Sequence, residues 1–224
     1  MGKINCMKDL SVFADLSAAE SILIPASIAK GRTYQRNEVL FHEGESAEAI
    51  YLIKKGQVKL SRVFKNGKEI TLQIVGDDQI IGENLLYGRT EHIFTAEVVQ
   101  EAFICSCTKE EFRRLVTDYP EIGLKIIKTL SSKLEQLTQR VDSLTTYDVK
   151  GRLINLFYQL SQEYGIETKE GVLIDLRLTH QDLAEFIDAS RVMVTNTLQE
   201  IKGIKKKKRK FLIDNPTSLK KLVN

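Results

Sequence analysis

Arg191, Val192, Thr195, Asn196 and Gln199 follow one another at helical spacing after Ser190. On an α-helix these five side chains share one face. Their types suit the edges of DNA bases. Arginine pairs with guanine, and asparagine or glutamine with adenine, through two hydrogen bonds each, while valine packs on a thymine methyl. Thr195 can read a base or hold a phosphate. Ser190 caps the helix, whose first N–H groups then face an anion. Thr179 and His180, which open the preceding helix, belong to the same contact set. Further on, Lys205, Lys206, Lys207, Lys208, Arg209 and Lys210 form an unbroken basic run. Such a run contacts phosphates without reading sequence. By itself it also fits a solvated tail or a nuclear localisation signal.

Charge is distributed to match. Residues 1–146 hold 19 Lys+Arg against 20 Asp+Glu, and residues 147–224 hold 14 against 10. Seven of those 14 lie between Lys202 and Lys210. Basic charge next to base-reading side chains points to nucleic acid as the partner. Enzyme chemistry finds no support. The sequence has no P-loop, dinucleotide fingerprint, His-Glu-x-x-His pair or nucleophile elbow. His42, His92 and His180 are too scattered for a metal cluster, and neither metal nor cofactor is expected. Cys105 and Cys107, two apart on a strand, read as small core residues, and Cys6 stands alone near the N-terminus. Four ligands for an iron–sulfur cluster are therefore not available. An odd cysteine count without a secretory signal predicts a reducing compartment. No apolar run approaches the ~20 residues of a membrane helix, so no membrane partner is expected.

The base readers need a scaffold. Thr179 is a good N-cap, and Leu183, Ala184 and Ile187 follow at helical spacing. Asp188-Ala189-Ser190 breaks that helix, and the next one turns Val194, Leu198 and Ile201 inward. Helix, tight turn, helix is a helix-turn-helix, although any packed helix pair shares the pattern. Before it, Arg152–Tyr164 reads as an amphipathic helix ended by Gly165, and Ile174, Leu176 and Leu178 alternate as a short strand.

The front half has a different rhythm. Six of the 13 glycines fall in residues 44–88, between short apolar runs. Val58 and Leu60 alternate with Lys59 and Ser61, predicting a half-buried strand, and Asn66-Gly67 predicts a two-residue type I′ hairpin. Several such strands make a small barrel or roll, which often holds one small ligand. Asp118 and Pro120 bracket a helix start. From there Ile122, Ile126, Leu130, Leu134, Leu137, Val141 and Leu144 recur at spacings of 4, 4, 4, 3, 4 and 3. That narrow stripe predicts a parallel dimer helix rather than a helix packed only on its own roll. The expected fold class is α+β, with an effector-binding β-roll at 1–117 and a dimerisation helix at 118–144. A hinge at 145–149 and a DNA-binding domain at 150–224 complete it.

This arrangement resembles the CRP/FNR family of bacterial transcription regulators over nearly the whole chain. Several stretches are similar to the nitrogen-regulator branch found in cyanobacteria and red-algal plastids. They are Val58-Lys-Leu-Ser-Arg-Val63 with Glu69-Ile-Thr71, Leu130-Ser-Ser132, and Ile174-Asp-Leu176 with Leu178-Thr-His-Gln-Asp-Leu-Ala-Glu185. Ser190-Arg-Val192 with Val194-Thr195, and the closing Asn215-Pro216, complete the set. The resemblance implies a cyclic-nucleotide-binding-like roll, a long dimerisation helix and a C-terminal winged helix-turn-helix. It implies a homodimeric activator of nitrogen-assimilation genes that binds a palindromic operator in double-stranded DNA, recruits RNA polymerase and responds to 2-oxoglutarate. It also implies a plastid-encoded protein of the stroma, with a cyanobacterial cytoplasm as the alternative.

The resemblance carries departures. The two arginines that grip the effector's carboxylates fall on His92 and Lys133. Gly82, Glu83 and Asn84 are implied to line the same pocket, and a family glutamate falls on Thr138. Neither His nor Lys offers arginine's bidentate fork, so a weaker or altered response is expected. An ordinary His92 titrates near ~6.5, which predicts tighter effector binding at mildly acidic pH. Cyclic AMP is the alternative effector, since Gly82-Glu83 matches the start of that branch's phosphate cassette, although Arg89-Thr90 comes a few residues early. A ligand-binding module acting on a protein partner is the rival class, and it would need neither the helix-turn-helix nor the basic run. Asn196 stands where most relatives carry arginine. The segment after Ile201 is shorter than usual, and Lys205–Lys208 replaces an apolar strand, so a truncated wing hairpin is expected.

Overall fold

The computed structural model describes residues 30–223. Expectations that concern Met1–Cys6 lie outside the described residues. The chain divides into two compact units, one of residues up to Arg62 with Leu72–Lys133, the other of Val63–Thr71 with residues from Leu134 on.

The first unit holds β1 (Lys30–Tyr34), β2 (Val39–Phe41), β3 (Ala49–Val63) up to Arg62, β4 (Glu69–Val75) from Leu72 on, β5 (Ile80–Ile81) and β6 (Thr95–Thr108). The sheet order is β1-β6-β3-β4, with β2 also on β6 and β5 also on β3. Phe41, Ile53, Val58, Leu60, Val75, Ile81, Phe94 and Ile104 fill its core. The residues Val58–Ser61 are not half-buried as the alternation predicts. All four are buried, and Lys59 is neutralised by Glu97 at 3.6 Å. A long central strand is covered on both faces, so alternating polarity does not here mark a wet face.

The hairpin also differs from the type I′ reading. Gly67 N–H donates to the Phe64 carbonyl at 2.8 Å, and Phe64 N–H donates to Lys68 O at 2.9 Å. Gly67 takes φ +77, whereas Asn66 is not among the positive-φ residues. This is the three-residue loop in which one left-handed glycine follows a type I turn. A helix precedes Pro120: α1 (Lys109–Asp118) starts at Thr108, in a capping box with Glu111. The Thr-x-x-Glu spacing is the local signal for that start. Pro120 then opens α2 (Pro120–Thr146), and Ile126 packs with Phe112, Ile50 and Leu85 in a second apolar cluster. Cys105 is buried in the core, as its reading as a small core residue expects. Cys107 is free, and burial pushes its thiol up to about 12.

In the second unit α3 (Val149–Tyr164) is capped by Asp148, which accepts from Gly151 N–H at 2.8 Å. The helical break between Thr146 and Val149 falls inside the segment read as a hinge. After α3 come β7 (Gly165–Thr168), β8 (Gly171–Ile174), α4 (His180–Ile187), α5 (Arg191–Glu200), β9 (Ile204–Lys207), β10 (Lys210–Ile213) and α6 (Pro216–Lys220). The sheet order is β7-β8-β10-β9. The predicted strand over 174–178 is displaced. β8 ends at Ile174, while Leu176 and Leu178 are buried by packing outside any ladder.

The backbone at Gly56 and the ring of His92 each carry a test. Gly56 has φ +102, and a Cβ there would meet Glu101 O at 2.2 Å and Ala102 Cα at 2.5 Å. Both obstacles are backbone, so Gly56→Ala is expected to cost at least ~2 kcal/mol. Urea unfolding checks this, and an unchanged midpoint would show that the backbone around Gly56 relaxes. His92 is buried and stacks on Phe41 with ring centroids 3.5 Å apart. Burial holds its pKa below the ordinary imidazole value, with the Glu45 charge opposing. As pH falls through the ordinary value near ~6.5, the unfolded chain takes up this proton first and stability declines, by at most about 1.4 kcal/mol per pH unit. His92→Phe should flatten that part of the stability–pH profile between pH 7.5 and 5.5. An unaltered profile would mean that His92 does not contribute.

Candidate nucleic-acid interface and ligand site

The helix-turn-helix is built from local signals. Thr179 and Asp182 form a capping box at the start of α4. Asp188 ends α4 in the left-handed region with φ +55, and Ala189 N–H donates to Ala184 O. Ser190 then caps α5 by accepting from Met193 N–H at 3.2 Å. Val194 and Ile201 are buried, as are Leu183, Ala184 and Ile187 of α4. Leu198, expected inside, is only half-buried.

The opposite face of α5 is open. Arg191, Val192, Asn196 and Gln199 are not buried, and Val192 is exposed to 67%. The side chains of Arg191, Asn196 and Gln199 engage no polar partner among the described residues. Thr195 is half-buried and already bonded. Its hydroxyl donates to the Arg191 carbonyl at 2.9 Å and lies 2.8 Å from His180 Nδ1. A hydroxyl that donates to a carbonyl accepts from the imidazole, so Nδ1 carries the proton. His180 is thus a brace between the two helices. Burial, then the positive charges of Lys206 and Arg191, hold its pKa below the ordinary value.

The basic run is a wing, and it is not truncated. β9 and β10 pair from Ile204↔Ile213 to Lys207↔Lys210, around a turn at Lys208 and Arg209. Lys208 takes φ +58 to close it. An edge strand can be built from lysines because β10 supplies the buried side chains Phe211, Leu212 and Ile213. The charges are partly neutralised. Lys205 pairs with Asp214 at 2.8 Å, Lys207 with Glu170 at 2.6 Å, and Lys210 with Asp175. Lys206, Lys208 and Arg209 have no carboxylate partner among the described residues, and Lys206 Nζ sits 5.8 Å from the Phe211 ring centre. The sequence reading missed two acidic residues of this unit. Glu185 is buried and accepts from the Thr71 hydroxyl at 3.1 Å, and Asp188 pairs with Lys68 at 2.5 Å. The unusual burial of Glu185 on the inner face of α4 leaves no signal in residue type alone.

The ligand-site residues are only partly brought together. Gly82 takes φ +88, and a Cβ there would meet Ala49 O at 2.8 Å. Glu83 opens the 3-10 turn Glu83–Tyr87 and pairs with Lys133 at 2.7 Å. Lys133 Nζ also donates to Ile80 O at 3.0 Å. Asn84 is half-buried in the same turn. His92 lies instead on Phe41, with Tyr51 at 6.4 Å between ring centres, and its backbone bonds Gly44 and Glu45. A neutral stacked imidazole is not the cation that the resemblance asks for, and its acid window lies below the expected one. Thr138 is exposed and donates its hydroxyl to Leu134 O of its own helix.

Comparison with known proteins agrees with this geometry. Residues 31–119 match the cyclic nucleotide-binding domain family, and residues 151–222 match the Crp-like helix-turn-helix domain family. The chain is 32% identical to the global nitrogen regulator of Nostoc sp. over 192 residues, 84% of this chain and 86% of that one. It is 24% identical to an HTH-type transcriptional regulator of Porphyra purpurea over 188 residues, 83% of this chain and 78% of that one. Among solved structures, the c-di-GMP-responsive global regulator CLP of Xanthomonas campestris shares the fold. Its TM-score is 0.76 at 21% identity, over 87% of this chain and 98% of that one. With a helix-turn-helix whose α5 leaves a polar face open and a β-roll ahead of it, the chain belongs to the CRP/FNR family of DNA-binding transcription regulators.

Proposed function

We propose that this protein is an effector-controlled activator of nitrogen-assimilation genes, acting as a homodimer on a palindromic operator. The observation that carries the DNA reading is the unpartnered polar face of α5. Arg191, Asn196 and Gln199 stand open to solvent in the same unit as Lys206, Lys208 and Arg209 of the wing. The Nostoc relative's name supports the nitrogen assignment. Plastid stroma is the proposed setting, supported by the red-algal relative, with a cyanobacterial cytoplasm as the alternative. No described helix is long and apolar enough to cross a membrane.

The dimer reading rests on α2. Leu134, Leu137, Val141 and Leu144 are exposed at 67%, 51%, 60% and 39% in the single chain. The Ile122 side chain of the same stripe lies outside the described residues. Apolar residues at heptad spacing are covered when a second copy pairs along the seam. The effector is proposed to be 2-oxoglutarate, held through Lys133 and the Gly82–Asn84 turn. Its binding shifts a pre-existing equilibrium of geometries at 145–149. That sets two α5 helices about one DNA turn apart, ~34 Å, and the bound dimer recruits RNA polymerase. Cyclic AMP is the second reading of the effector, favoured by the match to the cyclic nucleotide-binding domain family.

Selection of bound duplexes from a random pool, with and without 2-oxoglutarate or cyclic AMP, tests the function. The expected result is an enriched palindrome with half-sites one turn apart, sharpened by 2-oxoglutarate. Enrichment of no sequence would overturn the DNA reading, and a response to cyclic AMP alone would reassign the effector. Arg191→Ala should cost ~1–3 kcal/mol and relax preference at one base pair. A uniform loss across sequences would make Arg191 a phosphate contact instead. Leu134→Asp combined with Val141→Asp should give a monomer by sedimentation and abolish palindrome binding. A dimer that survives both changes would place the interface elsewhere.

A further inference from the structure

Lys133 is the cation of the ligand site, and its charge is already met from within the chain. Its ammonium donates to Glu83 Oε1 at 2.7 Å and to the Ile80 carbonyl at 3.0 Å. Both partners flank Gly82, whose left-handed backbone is pressed against β3. The turn therefore delivers the carboxylate to a set place. The pair is shielded from water, with side chains 16% and 17% exposed. Yet Glu83 Oε2 is buried with no hydrogen-bond partner among the described residues. A carboxylate satisfied on one oxygen only is held by the lysine charge rather than by a complete set of hydrogen bonds.

We propose that Glu83 is an intramolecular competitor of the effector, occupying at Lys133 the position that an anionic ligand's carboxylate or phosphate must take. This rests on the reading of Lys133 as a ligand-binding residue. Two carboxylates around one shielded ammonium repel each other. Entry of the ligand therefore requires Glu83 to leave, and the ion pair sets the concentration at which the regulator responds. The pairing selects for anions that make further contacts, because a lone carboxylate only replaces the one it displaces.

Calorimetric titration of the full chain with 2-oxoglutarate and with cyclic AMP tests this in wild type, E83Q and E83Q/K133M. Glu83→Gln keeps the shape and removes the charge. Glu83→Ala takes its place if E83Q fails to fold, as judged by its circular dichroism and Tm. E83Q is expected to bind 2-oxoglutarate at least tenfold tighter than wild type, and E83Q/K133M to lose the gain. Tightening for cyclic AMP alone would keep Glu83 as competitor and overturn only the 2-oxoglutarate reading. Equal or weaker binding by E83Q, a gain that survives K133M, or no binding of either ligand by wild type and E83Q would overturn the proposal.

Discussion

The interface depends on an α-helix being able to bury only one face. α5 presses Val194 and Ile201 onto α4 and α3, and the polar side chains must then point the other way. Every neighbouring feature serves that orientation. Asp188 accepts a left-handed backbone so that the chain can turn within three residues, and Ser190 caps the helix that begins there. The His180–Thr195 bond ties the two helices together on the side next to the wing. Phe157 and Phe211, edge to face at 5.0 Å, close the core beneath them. Edge-to-face aromatic pairs contribute more than their buried area alone, about 0.5–1.5 kcal/mol.

The wing shows how electrostatics and packing are shared between two strands. Lysines are poor strand formers by composition, but an edge strand needs only a partner with a buried face. β10 is that partner. Acids at Asp175, Glu170 and Asp214 take up half of the basic run. Lys206, Lys208 and Arg209 remain unpaired on the hairpin among the described residues, and the fields of Lys206 and Arg191 meet at His180. Exposed ion pairs of this kind are worth little to stability, about 0–1 kcal/mol. Their effect is to decide which charges of the run stay without a carboxylate among the described residues.

The roll balances charge in the same way in a shielded place. Lys133 and Glu83 neutralise each other in a shielded place, and Lys59 and Glu97 do so inside the sheet. His92 avoids the problem by staying neutral on Phe41. Removing one partner of such a shielded pair leaves an uncompensated charge, which costs more than the pair itself contributes.

Residue type and spacing alone determined the helix-turn-helix, the exposed stripe on α2 and the glycine-rich roll, because each rests on contacts a few residues apart. Thr179, Asp188 and Ser190 act within one turn, and apolar periodicity states which face goes inside. Only the tertiary structure decided that Lys205–Lys207 form a strand, that Lys59 is buried, that His92 leaves Lys133 to Glu83, and that Leu176 and Leu178 are core without a ladder. Each of those outcomes turns on a partner far along the chain, Phe211, Glu97, Phe41 or the packed helices. A side chain's polarity carries no information about a neighbour that only folding brings to it.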